Sequence, residues 1–284
     1  MTLDFSYANA CKLLLPTFRQ VHLIQVGAGG TGSWLFPHVV RIARLLMEKF
    51  HIPTKVLLID GDRVEAKNVF RQNFCDAEIG RNKAQTLALR YVGAWGVEVT
   101  AIPKFLDETF SPPNLEGWQG GLEVWIGCVD NHLARRCIAK LVRPADFHGG
   151  ARSWWLDCGN GQLTGQVLLG CQPVSGDPFV LPGFCAALPL PTVQHPELFK
   201  PEEEAQPTLG AESTSCGDLA MIDEQGVLIN ATMAALAANF LSRMLLTKDL
   251  FAFATYVNLS ANVVHAKYIT PETLIPYELT SGKG

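Results

Sequence analysis

Apolar runs that suit buried strands alternate with helical patterns through the first half of the chain. Residues 21–26 (VHLIQV) form a largely apolar run that ends at a glycine cluster, which is typical of a buried strand entering a tight turn. From Ser33 to Met47 apolar residues recur at helical spacing, so a helix follows the glycines. The alternation continues with further predicted elements: strands 55–60, 97–103 and 123–128, and helix 83–94. This order predicts an α/β fold with a doubly wound, mostly parallel, Rossmann-like sheet.

The second half of the chain shows a different pattern. Predicted strands 153–158 and 162–169 are separated by a short glycine turn and no helix, which predicts a mixed or antiparallel C-terminal section of the sheet. Residues 172–215 hold many of the 17 prolines and have no regular period, so we expect a mobile Pro-rich loop there. The last predicted elements are one helix and two strands: 226–246, 251–259 and 263–269.

Composition and charge narrow the class of protein. With 284 residues, of which 48% are hydrophobic and 18% charged, the chain can bury a large core, and we expect one compact domain over residues 1–284. The formal net charge of −4 provides no positive field to gather nucleic acid or an anionic membrane. Uninterrupted apolar stretches fall short of the ~20 residues that span a bilayer, and residues 1–7 lack a secretion-signal pattern. We therefore predict a cytoplasmic protein with neither a nucleic-acid nor a membrane partner.

The eight cysteines suit free thiols better than disulfides or a zinc site. Disulfide frameworks belong to small secreted chains, and this chain is neither small nor visibly secreted. No two cysteines form a C-x-x-C pair, so the closely spaced ligand pairs of structural zinc are missing from the sequence. The sequence therefore predicts thiols and no structural zinc.

Candidate phosphate-binding residues lie between the first predicted strand and the first helix. Backbone N–H groups at the positive end of a helix stabilise anions, and glycines let the backbone approach them closely. The glycines that would form this surface are Gly27, Gly29, Gly30 and Gly32. Because the same spacing also marks NAD and FAD sites, the motif alone does not choose between nucleotides.

Charged residues farther along the chain favour a triphosphate. Asp60 ends the second strand, with Asp62 two residues later, and a carboxylate there can hold ribose hydroxyls. A dinucleotide site needs no cation beyond this, whereas ATP needs its phosphate charge neutralised, and Arg71 and Lys83 follow on the next loop and helix start. Asp130 ends the fourth strand, at the sheet edge where a Mg²⁺ ligand is expected.

Together these motifs resemble a known superfamily. The matching residues, in chain order, are the glycine cluster, Asp60 and Asp62, Asn68, the pair Arg71-Gln72, Gly80 with Lys83, and the pair Asp130-Asn131. Their order and spacing over residues 20–171 are similar to those of the ubiquitin-activating (E1-like) superfamily, in its bacterial ThiF/MoeB adenylyltransferase branch. Within that branch the chain most resembles ThiF-type proteins of plasmid-borne bacterial systems that also encode ubiquitin-like and E2-like proteins.

This resemblance implies ATP- and Mg²⁺-dependent adenylation of the C-terminal glycine of a small ubiquitin-like or sulfur-carrier-like protein. It implies a homodimeric enzyme and leaves room for an E2-like partner. The roles it carries over are Asp60 for the ribose with Asp62 beside it, Asn68, Arg71 and Lys83 for the phosphates, Gln72 for ordering their loop, and Asp130 for Mg²⁺.

A covalent acyl intermediate would need a nucleophilic thiol on a flexible, exposed segment. Cys216 precedes the long helix, where some members of the superfamily carry the acyl or sulfur link, and Cys185 lies in the Pro-rich loop. We rank Cys216 first and Cys185 second, and direct attack on the adenylate stays open.

Two departures from the superfamily pattern keep alternative functions open. Homodimeric relatives supply an arginine from the N-terminal segment of the partner subunit, but here only Arg19 precedes the first strand, and it lies against that strand. The zinc-binding C-x-x-C pairs of many relatives are also absent from the sequence. The alternatives are an NAD(P)- or FAD-binding oxidoreductase and an E1-like scaffold that binds nucleotide or a partner without turnover.

Several other residues receive simpler interpretations. For Arg135, on the helix after the fourth strand, a solvated helix face is the default, although it could contact the substrate tail. Trp154 and Trp155 are predicted core or interface aromatics. His132, two residues beyond Asp130, is the one histidine predicted near the site.

Overall fold

Strands and helices alternate along most of the chain, as the sequence predicts. The computed structural model describes residues 6–110, 121–144, 151–173, 177–200 and 227–277. Within these ranges the strands are β1 (Lys12–Leu13), β2 (Val21–Val26), β3 (Thr54–Ile59), β4 (Val99–Ile102), β5 (Leu122–Gly127), β6 (Ser153–Asn160), β7 (Thr164–Cys171), β8 (Phe184–Cys185), β9 (Ala252–Asn258) and β10 (Val263–Tyr268). The α-helices are α1 (Gly30–Phe50), α2 (Lys83–Trp95), α3 (His132–Leu141), α4 (Pro191–Gln194), α5 (Val227–Ser242) and α6 (Pro271–Leu274). A π-helical turn, Arg243–Thr247, continues α5.

Eight of the strands form one mixed sheet in the order β10-β9-β7-β6-β5-β2-β3-β4. All neighbouring pairs from β4 to β6 are parallel, and all pairs from β6 to β10 are antiparallel. The short strands β1 and β8 pair with each other in a separate parallel sheet. The predicted fold class is therefore confirmed: a doubly wound parallel half continues into an antiparallel C-terminal section.

The central parallel strands are buried on both faces. Every residue of β2 and β5 is buried, as expected for strands covered by helices on each side. Successive β2 residues point into different cores. Leu23 joins the core formed with α1, α2 and α5, whereas Ile24 packs in a second core with Ile138 of α3. The sheet is thus the middle of three layers, and the carboxyl ends of its parallel strands lie at one shared edge.

α5 and the turn after it are apolar because they pack inside the fold. The 20-residue segment Leu228–Thr247 has the length and the mean hydropathy, 1.2, of a helix that could cross a membrane. Half of that segment is buried, and α5 packs against α1, β6 and β7. Its packing against these elements accounts for its apolar sequence.

The Pro-rich stretch 172–215 differs from the irregular loop that the sequence predicts. Within it the structure describes residues 172–173 and 177–200, and the second range contains β8, α4 and a 3₁₀ turn (Pro196–Phe199). Pro191 and Pro196 stand at the starts of helical turns, where a missing N–H removes no internal hydrogen bond. Pro191 and Pro196 therefore begin short helical turns, so this part of the stretch is more regular than expected, while residues 177–190 contain β8 as their one regular element. Residues 201–215 lie outside the described part of the chain.

Candidate active site

A cleft of about 1360 Å³ opens at the carboxyl edge of the parallel strands. β3 lies on one side of β2, and β5, which comes later in the chain, lies on the other side. The strand order therefore reverses between β2 and β5, and this is the switch point of the sheet. Ligands of doubly wound sheets bind at such points. The cleft is lined by most of the residues predicted from the sequence: Gly27, Gly29, Gly30, Asp60, Asp62, Asn68, Arg71, Gln72, Lys83 and Asp130.

Some glycines of the β2–α1 loop are required for packing, and others form its open surface. Gly27 has φ +95°, and a Cβ there would stand 2.2 Å from the carbonyl oxygen of Cys128. A Cβ on Gly32 would stand 2.2 Å from the carbonyl oxygen of Gly27, so both positions need glycine for packing. A Cβ on Gly29, in contrast, would meet nothing closer than Gln72 Nε2 at 3.8 Å. Gly29 therefore belongs to the open surface of the loop, and Gly32 to its base.

The first turn of α1 presents its backbone to the cleft. Gly29 is the N-cap of α1, no side chain of the described residues caps the helix, and Gly29 and Gly30 line the cleft. Gln25 holds the loop from below, since its Nε2 donates to the carbonyl oxygens of Gly27 (2.9 Å) and Gly32 (2.8 Å). Sequence reasoning missed Gln25, although a polar residue inside a buried strand was a visible signal. The arrangement can bind an anion through backbone N–H groups and the helix dipole.

Asp60 ties the end of β3 to the glycine loop. Its Oδ2 accepts a hydrogen bond from the backbone N–H of Ala28 at 2.6 Å, and its Oδ1 accepts one from Asp62 N at 2.8 Å. Burial raises the pKa of Asp60, although both of these hydrogen bonds and the charge of Lys83 oppose the rise. A carboxylate offers about four acceptor positions, so two remain beyond these bonds. Asp60 can therefore support the loop and still accept from a ligand hydroxyl.

Lys83 lies in the cleft wall at the first position of α2. Its side chain is 8% exposed, and its Nζ lies 3.1 Å from Oδ2 of Asp62, which is 52% exposed. Asn82 fixes the helix start, because its Oδ1 accepts from Gln85 N (3.0 Å) and its Nδ2 donates to the carbonyl oxygens of Asp60 and Asp62 (2.9 Å each). The predicted cation and the two predicted carboxylates are thus held together by one capping residue.

Asn68, Arg71 and Gln72 lie on the loop that faces α1 across the cleft. Asn68 is buried, and its Oδ1 accepts from Glu65 N at 2.9 Å. The backbone carbonyl of Arg71 accepts from Trp34 Nε1 at 3.1 Å, which fastens the loop to α1. Gln72 is also buried, and its backbone N–H donates to Asn68 O at 2.8 Å. Backbone groups of Arg71 and Gln72 therefore help to fix the loop in place.

Asp130 is exposed at the rim of the cleft, just beyond β5. The next residue, Asn131, caps α3 by accepting from Ala134 N at 2.8 Å. No cluster of three metal-ligating side chains was found among the described residues. Mg²⁺ in nucleotide sites takes one or two carboxylates and completes its shell with phosphate oxygens and water. A single Asp130 carboxylate fits that mode of binding.

The cysteines differ in how well they meet the sequence expectation. Cys185 is fully buried, its thiol contacts the carbonyl oxygen of Ala187 at 3.0 Å, and burial raises its pKa to about 12. The expected exposure of Cys185 is therefore wrong, because β8 lies inside the fold. Cys216 lies outside the described residues. Cys128 and Cys158 line the cleft as neighbouring thiols, and the contact with Cys128 together with burial raises the pKa of Cys158 well above its usual value.

Other polar residues also line the cleft. Arg135 is buried rather than solvated, with Nε 3.3 Å from Asp157 Oδ1 and Nη2 donating to Val129 O at 2.7 Å. Asn160 on β6 accepts from Thr31 of α1 at 2.9 Å, which closes the back of the cleft. Trp154 and Trp155 are buried, as predicted.

Comparison with known proteins agrees with this geometry. The ThiF family profile matches residues 6–151. Among solved structures, the fold is similar to that of E. coli MccB with ATP, at 14% identity and a TM-score of 0.54 over 89% of this chain and 66% of that one. It is also similar to the microcin C7 biosynthetic enzyme MccB in complex with N-formylated MccA (15% identity, TM-score 0.55, 65% of that chain). PaaA is similar as well (15% identity, TM-score 0.50, 89% of this chain and 65% of that one).

These structural likenesses, at such low identity, concern the fold alone. The chain spans slightly less than two thirds of the length of these solved structures. No curated protein matches it significantly. The family match covers just over half of the chain, includes the glycine loop, Asp60, Lys83 and Asp130, and agrees with the resemblance read from the sequence. The chain therefore belongs to the ThiF family.

Proposed function

We propose that this protein is an adenylyltransferase that uses ATP to activate the C-terminal glycine carboxylate of a small ubiquitin-like or sulfur-carrier-like protein. The observation that carries the proposal is the combination of groups in one cleft. An uncapped helix start with glycines, the cations Arg71 and Lys83, and the carboxylate of Asp130 all line it. A triphosphate with Mg²⁺ calls for cations and a metal-binding carboxylate besides the helix start, whereas a dinucleotide needs only the helix start and a carboxylate for the ribose.

The roles in this proposal follow the positions of the side chains. The helix start would hold phosphate oxygens, Asp60 would accept from the ribose hydroxyls, and Lys83 and Arg71 would neutralise the phosphates. Asp62, beside Lys83, would set the direction of its ammonium, while Asn68 and Gln72 would shape the loop that carries Arg71. Asp130 would hold Mg²⁺, which supplies charge neutralisation on the pyrophosphate when it is bound.

The reaction needs positioning and charge neutralisation more than acid–base chemistry. A carboxylate oxygen of the terminal glycine attacks the α-phosphorus of ATP, and the bond from that phosphorus to the bridging oxygen of the leaving pyrophosphate breaks. The products are an acyl-adenylate and pyrophosphate. The cleft contributes by holding the two anions together and by offsetting their repulsion with Lys83 and Arg71.

The partners and setting of the enzyme belong to the same proposal. MccB structures contain ATP in one case and the MccA substrate in others, which supports ATP and a polypeptide as the two substrates here. We infer a cytoplasmic homodimer that acts on a ubiquitin-like carrier, with an E2-like protein as a further partner. The similarity to plasmid-borne ThiF-type proteins supports that pair of partners.

ATP–pyrophosphate exchange in the presence of a small carrier protein ending in glycine tests the proposal. Asp130→Ala is expected to abolish exchange and keep the fold, since Asp130 is exposed and, among the described residues, its side chain accepts one long hydrogen bond, from Asn131 Nδ2 at 3.5 Å. The matched control is Asp76→Ala, an exposed carboxylate outside the cleft, which should exchange like wild type. Near-wild-type exchange by a folded Asp130→Ala protein would contradict the role of Asp130. Absence of exchange in wild type would favour a scaffold without turnover.

A further inference from the structure

A chain of hydrogen-bonded polar side chains borders the end of the cleft away from the glycine loop. His195 lies between two partners, with Nδ1 2.6 Å from Glu197 Oε1 and Nε2 2.7 Å from the hydroxyl oxygen of Tyr256. Lys267 lies over the ring of Tyr256 and donates to the hydroxyl of Tyr277 at 3.1 Å. We call these five residues the Tyr256 relay. The proposed adenylation reaction uses none of them.

The relay reaches the cleft through Tyr256, which is one of its lining residues. Tyr256 on β9 pairs with Gln166 on β7, and Gln166 pairs with Gly159 near the carboxyl end of β6. Neighbouring strands are about 4.8 Å apart, and β9 is two strands away from β6. Tyr256 therefore lies roughly 10 Å from the end of β6, measured across the strands. Tyr256 is therefore beside the nucleotide half of the cleft, not inside it.

The size of the cleft leaves room for a second substrate at this end. Pockets that enclose one drug-sized ligand measure about 300–1,000 Å³. The cleft measures about 1360 Å³ and extends past the nucleotide residues to Gly165, Gln166, Leu198 and Tyr256. A nucleotide bound at the glycine loop would thus leave the Tyr256 end open to the group that reacts with the activated carboxylate.

Hydrogen bonding within the relay determines where its protons lie. Partial burial of Glu197 opposes ionisation, but the hydrogen bond from His195 keeps the pKa of Glu197 below its usual value, so it is a charged acceptor. The Nδ1 of a neutral His195 must then carry the proton, and its Nε2 is left as an acceptor for the Tyr256 hydroxyl. The ammonium of Lys267 has no acceptor, so the hydroxyl proton of Tyr256 is left for His195. The oxygen of Tyr256 therefore retains one acceptor position for a further donor.

The charge at this end of the cleft favours one class of nucleophile. Lys267 lies 5.4 Å from the ring centroid of Tyr256, and its ammonium would stabilise a group that becomes negative as it loses a proton. A thiol does so, since a nearby cation favours its thiolate. A protonated amine would instead be repelled by the same ammonium.

We propose that Tyr256 is the general base for attack of a thiol on the acyl-adenylate, with His195 and Glu197 acting through it. The inference rests on the proposed adenylation. The S–H proton passes to the oxygen of Tyr256 while the hydroxyl proton of Tyr256 passes to Nε2 of His195. Sulfur bonds to the acyl carbon, the bond from that carbon to the phosphate oxygen breaks, and AMP leaves from a new thioester. The imidazolium, stabilised by Glu197, then returns its proton to water.

Three reactions of the full-length protein with the carrier separate the relay from adenylation. ATP–pyrophosphate exchange reports the first step, hydroxylamine traps the adenylate without needing a base, and N-acetylcysteamine is a thiol acceptor that does need one. Tyr256→Phe and His195→Asn should each slow thioester formation by about 10²-fold or more, leaving exchange and hydroxamate formation within twofold of wild type. The matched control is His265→Asn, because His265 is exposed opposite Tyr256 on β10 and should have wild-type rates in all three reactions.

The outcomes that contradict the two proposals differ. No exchange in wild type would overturn adenylation, whereas normal exchange with unchanged thioester formation in Tyr256→Phe would overturn the relay alone. An equal loss with glycinamide as acceptor would contradict the assignment of a thiol. Nitrogen NMR of wild type provides a test that needs no folded variant: neutral His195 should carry its proton on Nδ1, and a proton on Nε2 instead would exclude the relay.

Discussion

At the scale of single residues, several polar side chains are buried inside the central strands. His22 and Gln25 on β2, Glu123 on β5 and Asp157 on β6 are each at most 2% exposed. Burial of such groups costs free energy unless they are hydrogen-bonded or paired. Gln25 supports the glycine loop, and the carboxylates of Glu123 and Asp157 each pair with an arginine. His22 is far from the cleft, and its burial makes stability depend on pH.

Acid is expected to destabilise the fold through His22. Burial, with smaller contributions from the positive charges of Lys55 and Arg143, lowers the pKa of His22 to about 3. The unfolded chain protonates this histidine near pH 6.5 and the folded chain does not. His22 therefore does not lower the free energy of unfolding above pH 6.5, and it lowers that free energy progressively as the pH falls from 6.5 toward 3. Urea unfolding should show a loss of roughly 2 kcal/mol between pH 7 and pH 5 from this residue.

His22→Gln is the control for this prediction, since glutamine has no charge to gain. The variant should lose correspondingly less stability over the same pH interval. An identical decline in the two proteins would mean that other groups cause the acid sensitivity.

At the scale of elements, the β2–α1 loop contains a glycine needed for packing, Gly32, and one that faces the cleft, Gly29. Gly32→Ala should lower the free energy of unfolding by about 1–3 kcal/mol, because its Cβ would meet a backbone carbonyl that cannot move aside. Gly29→Ala has space for its Cβ and should change stability by no more than about 0.5 kcal/mol. It should still weaken ATP binding, since the added methyl group stands at the surface of the loop. Chemical denaturation and calorimetric titration with ATP measure the two effects. Equal stability losses in both variants would contradict this division of roles.

The elements that the sequence predicts correctly are those with a local signal. Residues 21–26 are recognised as β2 because a strand covered on both faces must be apolar, and helix 83–94 is confirmed as α2. β1, β8 and α4 have only two to four residues, too few for any periodicity, and β1 pairs with a strand far away in the sequence. Composition is therefore the main signal in the Pro-rich stretch, and it wrongly predicts that Cys185 is exposed.

For the molecule as a whole, the cleft shows which parts of a site can be read from a sequence. The nucleotide residues follow strand ends, and the rule that parallel strands share an edge brings them together. His195 and Tyr256 are in contact although they are 61 positions apart in the sequence. Antiparallel strand pairing and a turn in the Pro-rich stretch bring them together, and no local pattern indicates that turn. The relay could not be predicted because its members share no element and no motif.

The proposed function predicts that the cleft selects ATP over NAD⁺. Lys83→Met should weaken ATP binding by about 10- to 100-fold, the cost of one charge-assisted hydrogen bond to a phosphate. We expect NAD⁺ to bind wild type more weakly than ATP, and its binding should change much less. Lys140→Met is the matched control, because Lys140 is an exposed lysine outside the cleft that pairs with Glu108. Calorimetric titration in Mg²⁺ measures both nucleotides, and tight NAD⁺ binding without ATP binding would favour the oxidoreductase alternative.

The central claim is that a carboxylate oxygen of the carrier attacks the α-phosphorus of ATP, and oxygen labelling tests it most directly. A ubiquitin-like carrier protein ending in glycine is labelled with ¹⁸O in its terminal carboxylate, incubated with the enzyme and ATP, and the adenylate is cleaved with hydroxylamine. The account predicts AMP that carries one ¹⁸O atom in its phosphate, together with unlabelled pyrophosphate. Label in inorganic phosphate with ADP as the nucleotide product, or AMP without label, would contradict it.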